Sequence, residues 1–502
     1  MTSTAAYAEL TARLRRVQSL DSIGQLLAWD EQVNLPPGGA EQRAAQHAAL
    51  AEAQHAAASD PALGHRLAQL EADATDLTDD QRAVLRWARR DYDRATRIPA
   101  DFVREKAEAG SRGYHAWAEA KRAGDFTRYA PVLEKNLALA KREAAYMGHG
   151  DTPYDYLIDR HDPGLTAALI EKLFDELKAG LVPLVHAIAG SPAKPRTAGF
   201  RGFPIEQQRT FLREVTEKIG FDYTRGRIDV SLHPFCSGTG ADIRMTTRFD
   251  ADHPLDSLFS SIHETGHGLY EQGLAADQHH TALGQAAGMG AHESQSRLWE
   301  NQVARSRGFW KFFEPKFRAA FPAQLAPVTS EELYRAINAV APTLIRVDAD
   351  EVTYNLHVIL RFELEKKLFS GALAVRDLPA AWNAASRDLL GLAPSHDREG
   401  VLQDVHWSDG AFGYFPSYCL GNMIAAQLWY RALSLRPQLE EDFARGDFTW
   451  LLGWLRATIH AAGKRHDTLA LIRHATGAEL SPQWLLRYLR ERYGALYLGD
   501  AK

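Results

Sequence analysis

The stretch Ser260–Gly273, SSIHETGHGLYEQG, sets His263 and His267 four residues apart, with Glu264 directly after the first. On an α-helix, residues i and i+4 share a face one turn apart, so both imidazoles can aim a ring nitrogen at one metal ion. Glu264 then projects beside that face, where it can accept a proton from a metal-activated water instead of ligating. The local signals agree with a helix. Pro254 suits a first turn, Leu255, Leu258, Phe259 and Ile262 form an apolar stripe, and Gly273 reads as a natural stop.

In a chain carrying 20 histidines such a pair also arises by chance, so a third ligand has to decide. A metzincin continuation fails because Tyr270 and Gly273 occupy the positions it would need. Glu271, one turn beyond His267, lies too far along the helix axis to close a tetrahedral site. Downstream, GMGAHESQSRLWENQ offers Glu293 after an interval that accommodates a loop and a returning helix. The expectation is a His263/His267/Glu293 site with an open water position. His292 would then point elsewhere, and Glu300 reads as a surface carboxylate or as a support for a ligand. The adjacent pair His279 and His280 reads as loop residues, since neighbours cannot share one helical face.

Working outward, RIDVSLH and DIRMTTRF flank a Gly-rich turn between Phe221 and Asp250, the pattern of a small hairpin. An edge strand there could pair with an extended peptide. From Thr4 to about Ile188 the chain shows helical periodicity rich in Ala, Leu, Glu and Arg, broken at LPPGG, SDPALG and HGDTPYD. Helical patterning returns after Ser260. The expected fold is a single mainly α domain over 1–502, with a helical part at 1–220 and a catalytic part at 221–502.

The composition, 45% hydrophobic and 24% charged, is that of a water-soluble globular chain. A net charge of −6 with no dense basic block argues against nucleic acid as the main partner. No run of about 18 apolar residues occurs. The opening MTSTAAYAELTARLRRVQSL has none of the three regions of a secretory signal, so the expectation is a cytoplasmic protein that does not enter a membrane. Cys236 and Cys419 are too few for a disulfide framework, so a metal site must rely on His and carboxylates.

HETGH followed by HESQS resembles the carboxypeptidase Taq family of metallocarboxypeptidases. So do the preceding HPF (His233–Phe235) and DIRMT (Asp242–Thr246), and the later blocks IRVDADEVTYNLHVILRFELE (Ile345–Glu365) and GVLQDVHWSDGAFGYFPSYCLGN (Gly400–Asn422). The resemblance implies a large helical zincin-type metallopeptidase with a deep substrate groove between two lobes and a small hairpin or sheet beside the metal helix. It also implies release of single residues from free peptide C-termini with broad specificity, one Zn²⁺ or Co²⁺ per subunit, and a cytoplasmic homodimer.

In such a cycle Glu264 is the general base, and Tyr414, Tyr418 and His406 are candidate donors to the developing oxyanion. Arg346 is the expected partner of the substrate carboxylate, because a guanidinium fork suits that group, unless nearby Asp348, Asp350 or Glu351 occupies it. Arg244 is expected to support the site from the hairpin with Asp242, and His233 either contacts substrate or caps its strand. Tyr354, His357 and Arg361 share a helical face that reads as a groove wall or a buried ion-pair network. Two rivals stand beside this reading. A metallo-oligopeptidase would need no carboxylate anchor, and a non-catalytic helical scaffold would need no Glu264.

Overall fold

Each break expected in the N-terminal half becomes a helix start in the computed structural model, which describes residues 3–193 and 200–499. Pro37–Gly39 form a short 3-10 turn, Asp60 caps the helix opening at Pro61 by accepting from Ala62 N, and Thr152 with Asp155 forms a capping box. These are the residue types that satisfy the orphan N–H groups of a helix start. Among the described residues the chain begins with a long helix, α1 (Ser3–Val33), and is otherwise mainly helical, with one three-stranded sheet.

The described residues group into two units, and neither is one contiguous stretch. The first draws on the described residues within 1–96, 196–337 and 428–479, the second on those within 97–195, 338–427 and 480–502.

The sheet belongs to the first unit, with strands β1 (Gly226–Val230), β2 (Cys236–Thr239) and β3 (Asp242–Thr247) in the order β1-β3-β2. The two segments with the clearest alternation do not form a hairpin with each other, as their pattern suggested. β1 pairs with β3 in parallel, and the antiparallel arm is β2, closed on β3 through Gly240 at φ 67°. The cause is the corner between β1 and β2. Ser231 Oγ donates to His233 O, and Phe235 N donates to Thr246 Oγ1, which turns the chain back before CSGT enters the sheet.

The metal-motif helix is α2 (Pro254–Gly273), and α3 (Met289–Arg297) crosses it before continuing as a π-helical turn at Leu298–Val303. Gly266 permits the crossing: a Cβ there would lie 2.5 Å from Ser296 Cα and 2.6 Å from Gln295 O. On the sheet side, a Cβ at Gly268 would meet the Phe221 ring at 2.8 Å and Met245 Sδ at 3.2 Å. The helix does end at Gly273, but no left-handed conformation is responsible. The absent Cβ makes room for His460, whose Nδ1 it would meet at 2.2 Å.

In the second unit, α4 (Tyr354–Ser370) is buried almost all round. Its polar residues His357, Arg361 and Glu365 follow one another at four-residue spacing and so make one stripe. Such a stripe needs partners inside the protein. Glu365 finds Tyr154 Oη at 2.7 Å, Trp407 Nε1 at 2.6 Å and Gly413 N at 2.9 Å. Among the described residues no helix is long and apolar enough to cross a membrane.

Candidate active site

Two largely buried clusters carry most of the sequence-predicted residues, one in each unit. In the first, His263 Nε2 lies 3.7 Å and His267 Nε2 3.5 Å from Glu293 Oε2, and the three ligating atoms fall within 4.8 Å of one another. A tetrahedral ion with bonds of 2.0–2.1 Å separates its ligands by about 3.3 Å, so small side-chain adjustments would bring all three onto one divalent cation. The side chains of His263 and His267 keep 17% and 14% of their surface exposed, which leaves the cluster open on one side.

The remaining polar atoms of these ligands are engaged. His263 Nδ1 lies 2.9 Å from Glu300 Oε2, and Arg297 donates to Glu293 Oε1 at 2.8 Å and to Glu300 Oε2 at 3.1 Å. His292 does not point away, as its adjacency to Glu293 suggested. It reaches the far side of His267, with the two Nδ1 atoms 2.5 Å apart, while its Nε2 sits 2.9 Å from Glu271 Oε1.

Charge states suit the cluster to a cation. Burial lowers His267 to about 3, so its imidazole is neutral with a lone pair to give. Burial would raise Glu293, but Arg297 and the two histidines outweigh it and hold the carboxylate well below the usual range. Glu300 is likewise lowered, to about 2, by Arg297 and His263 against its burial. Glu264 goes the other way: burial, reinforced by Glu293 and Glu300, pushes it up to about 7.

The second cluster gathers around Asp404. Arg346 donates from Nε to Asp404 Oδ1 at 3.0 Å and from Nη1 to Tyr354 Oη at 3.0 Å. Fully buried Arg361 donates to Asp404 Oδ2 at 2.6 Å and to His357 O at 2.7 Å. Two guanidinium groups thus share one carboxylate. The nearby acids do not compete for Arg346: Asp350 accepts from Thr353 Oγ1 and from the Val352 and Ala341 amides, and Glu351 accepts from Tyr493 Oη.

His406 Nε2 and Tyr418 Oη are 3.4 Å apart, the Tyr414 and Tyr418 rings meet edge-on at 5.2 Å, and Arg346 lies 5.1 Å from the Tyr418 ring centre. Burial and the two arginines hold His406 at about 4, while burial and Arg361 hold His357 at about 3. Both rings are therefore neutral. His357 Nε2 and His406 Nδ1 are buried and have no hydrogen-bond partner among the described residues.

Arg244 and His233 stand apart from both clusters in their contacts. Arg244 forms a two-pronged pair with Asp242 at 2.9 and 3.0 Å and stacks over Trp29 of α1 at 4.1 Å. His233 is exposed, and its carbonyl accepts from Ser231. Sequence reading missed Asp404, whose only local signal is its place within the LQDVHW block. It also missed the contact of His292 with His267.

A helix-borne pair of imidazoles, a carboxylate from a crossing helix and a buried glutamate of raised pKa define the class of water-activating metallopeptidases. The comparisons with known proteins agree. The family model described as carboxypeptidase Taq (M32) metallopeptidase matches residues 9–493. Thermostable carboxypeptidase 1 of Thermus thermophilus is 43% identical, with 99% of this chain and 100% of that protein aligned. Carboxypeptidase 1 of Bacillus subtilis is 37% identical, with 97% of each chain covered. The crystal structure of an M32 carboxypeptidase from Deinococcus radiodurans R1 superposes with a TM-score of 0.95 at 46% identity, over 98% of this chain and 99% of that one. The chain belongs to the carboxypeptidase Taq (M32) family and is a metallocarboxypeptidase.

Proposed function

We propose that the protein removes residues one at a time from free peptide C-termini, with broad specificity, using one Zn²⁺ or Co²⁺ per subunit held by His263, His267 and Glu293. A divalent ion held by these residues would supply Lewis-acid polarisation of the scissile carbonyl and a water of lowered pKa. Glu264 takes the proton from the attacking water and returns it to the leaving amine, a double task that suits a carboxyl whose burial favours its protonated form. Tyr414, Tyr418 and His406 are the donors proposed for the developing oxyanion.

The observation that carries the exopeptidase reading is the sharing of Asp404 by Arg346 and Arg361. That arrangement leaves buried positive charge in excess, which the terminal carboxylate of a peptide would complete with charge-assisted hydrogen bonds from Arg346. Tyr354 steadies the guanidinium, and neutral His357 offers a further polar contact. For Arg244 and His233 the proposed part in substrate binding is a minor one, because the Arg244 guanidinium is already engaged by Asp242.

The test is a time course of products from a defined peptide with zinc or cobalt. Stepwise release of C-terminal residues is expected, and early internal fragments would favour an oligopeptidase. The family resemblance also supports a cytoplasmic homodimer, which sedimentation velocity of the purified protein would check at the level of subunit number.

A further inference from the structure

We propose that Glu271 and His292 form an ordered hydrogen-bond chain behind His267 that fixes its tautomer and ring orientation for metal binding, so that both act as positioning residues. This inference rests on the metal-centre reading above.

The two ligand histidines are backed differently. His263 Nδ1 meets a carboxylate directly, Glu300 Oε2 at 2.9 Å. His267 Nδ1 meets another imidazole, His292 Nδ1 at 2.5 Å, and the carboxylate comes one step later, Glu271 Oε1 at 2.9 Å from His292 Nε2. Two ring nitrogens 2.5 Å apart hold one proton between them, so one Nδ1 donates and the other accepts. A carboxylate only accepts, so His292 Nε2 carries a proton towards Glu271, and His292 Nδ1 is left with a lone pair. That lone pair requires the proton on His267 Nδ1, which frees His267 Nε2 to face Glu293 with its own lone pair. The opposite order would set a bare His292 nitrogen against a carboxylate.

The parts come from both crossing helices. His263, His267 and Glu271 follow at four-residue intervals on α2, and His292 enters from α3 between the last two. Tyr270 lines the His292 ring at 5.3 Å and the His460 ring at 5.0 Å, so His292 is held by packing as well as by its hydrogen bonds. A ligand imidazole that donates its second N–H is fixed in orientation and made more basic, and loss of such a partner typically costs about 10–100-fold in metal affinity.

The experiment measures Zn²⁺ dissociation constants by competition with a chromogenic chelator, each variant being checked for fold by circular dichroism. His292→Leu is expected to weaken Zn²⁺ about 10–100-fold. His292→Asn, which offers an acceptor oxygen near the lost Nδ1, should recover part of that loss. Glu271→Gln should weaken the wild-type protein but change nothing further in either His292 background, because its effect is carried only through that ring. Unchanged affinity in His292→Leu, or an equal cost of Glu271→Gln with and without His292, would overturn the inference. Should His292→Leu not fold, the cycle with His292→Asn decides in the same way. Failure of the wild-type protein to bind Zn²⁺, or unaltered binding in His263→Ala, would instead remove the metal-centre reading and the inference with it.

Discussion

The His263/His267/Glu293 cluster and the Arg346/Arg361/Asp404 cluster meet the burial of polar groups with opposite chemistry. The first converges two imidazoles and a carboxylate, a set that a cation would complete. The second converges N–H donors on a single carboxylate, a set that under the proposed function an anion would complete. Buried charge is tolerated only when paired, so an incompletely paired cluster marks a place where a ligand supplies the missing partner. Under the proposed function the contrast separates reaction from polarity, the first cluster serving peptide hydrolysis and the second a free C-terminus.

The largest expected effect falls on the first cluster. Glu264→Gln keeps the shape of the side chain but removes the base, and activity should fall about 10²–10⁴-fold in single-turnover assays. Metal content, read by atomic absorption, should be unchanged, whereas Glu293→Gln should lose metal as well as activity. Parallel loss of metal in Glu264→Gln would erase the distinction between base and ligand.

In the second cluster the matching change is Asp404→Asn, which leaves two buried guanidinium groups without their carboxylate. Breaking a buried pair in this way costs about 3–5 kcal/mol, to be read from denaturant unfolding. The pH dependence has a definite sign. Burial would raise Asp404, but Arg361 and Arg346 hold it well below the ordinary carboxylate value, so its contribution is present above the unfolded pKa and lost as pH falls into the acid range. The Asn variant should lack that acid-side slope, and a wild-type slope retained in full would contradict the pairing.

A smaller effect tests how the first cluster is assembled. Gly266→Ala forces a Cβ to within 2.5 Å of Ser296 Cα, backbone that cannot swing aside. Overpacking of this kind costs about 1–3 kcal/mol and should move α3, weakening Zn²⁺ through Glu293. Stability loss with unchanged Zn²⁺ affinity would show that the crossing does not set the ligand position.

The two clusters also differ in how far the sequence reveals them. His263, Glu264 and His267 are legible because helical spacing alone puts them on neighbouring positions, and Glu293 because one loop and one helix suffice to return it. Glu271 reads in the sequence as too far along its helix and His292 as pointing elsewhere, so helical spacing alone does not reveal their contact behind His267. Arg346 was legible as a donor, but its partner was not. Three acids close by in sequence look equally suitable, whereas the true partner, Asp404, is 58 residues away and is chosen by the packing of α4 and the LQDVHW block. The sheet shows the same limit. Alternation identifies β1 and β3, but their parallel pairing depends on side-chain bonds at the Ser231–Phe235 corner.

The central claim is that the metal cluster supplies hydrolysis while Arg346 supplies the preference for a free C-terminus. It is tested most directly by comparing kcat/KM for one peptide as free acid and as C-terminal amide, in the wild-type protein and in Arg346→Ala. Loss of charge-assisted hydrogen bonds worth about 1.5–3 kcal/mol predicts a preference for the acid of about 10–150-fold in the wild type. Arg346→Ala should lower kcat/KM for the acid towards that for the amide and leave the amide rate nearly unchanged. Equal cleavage of acid and amide by the wild-type protein, or an undiminished preference in Arg346→Ala, would contradict it.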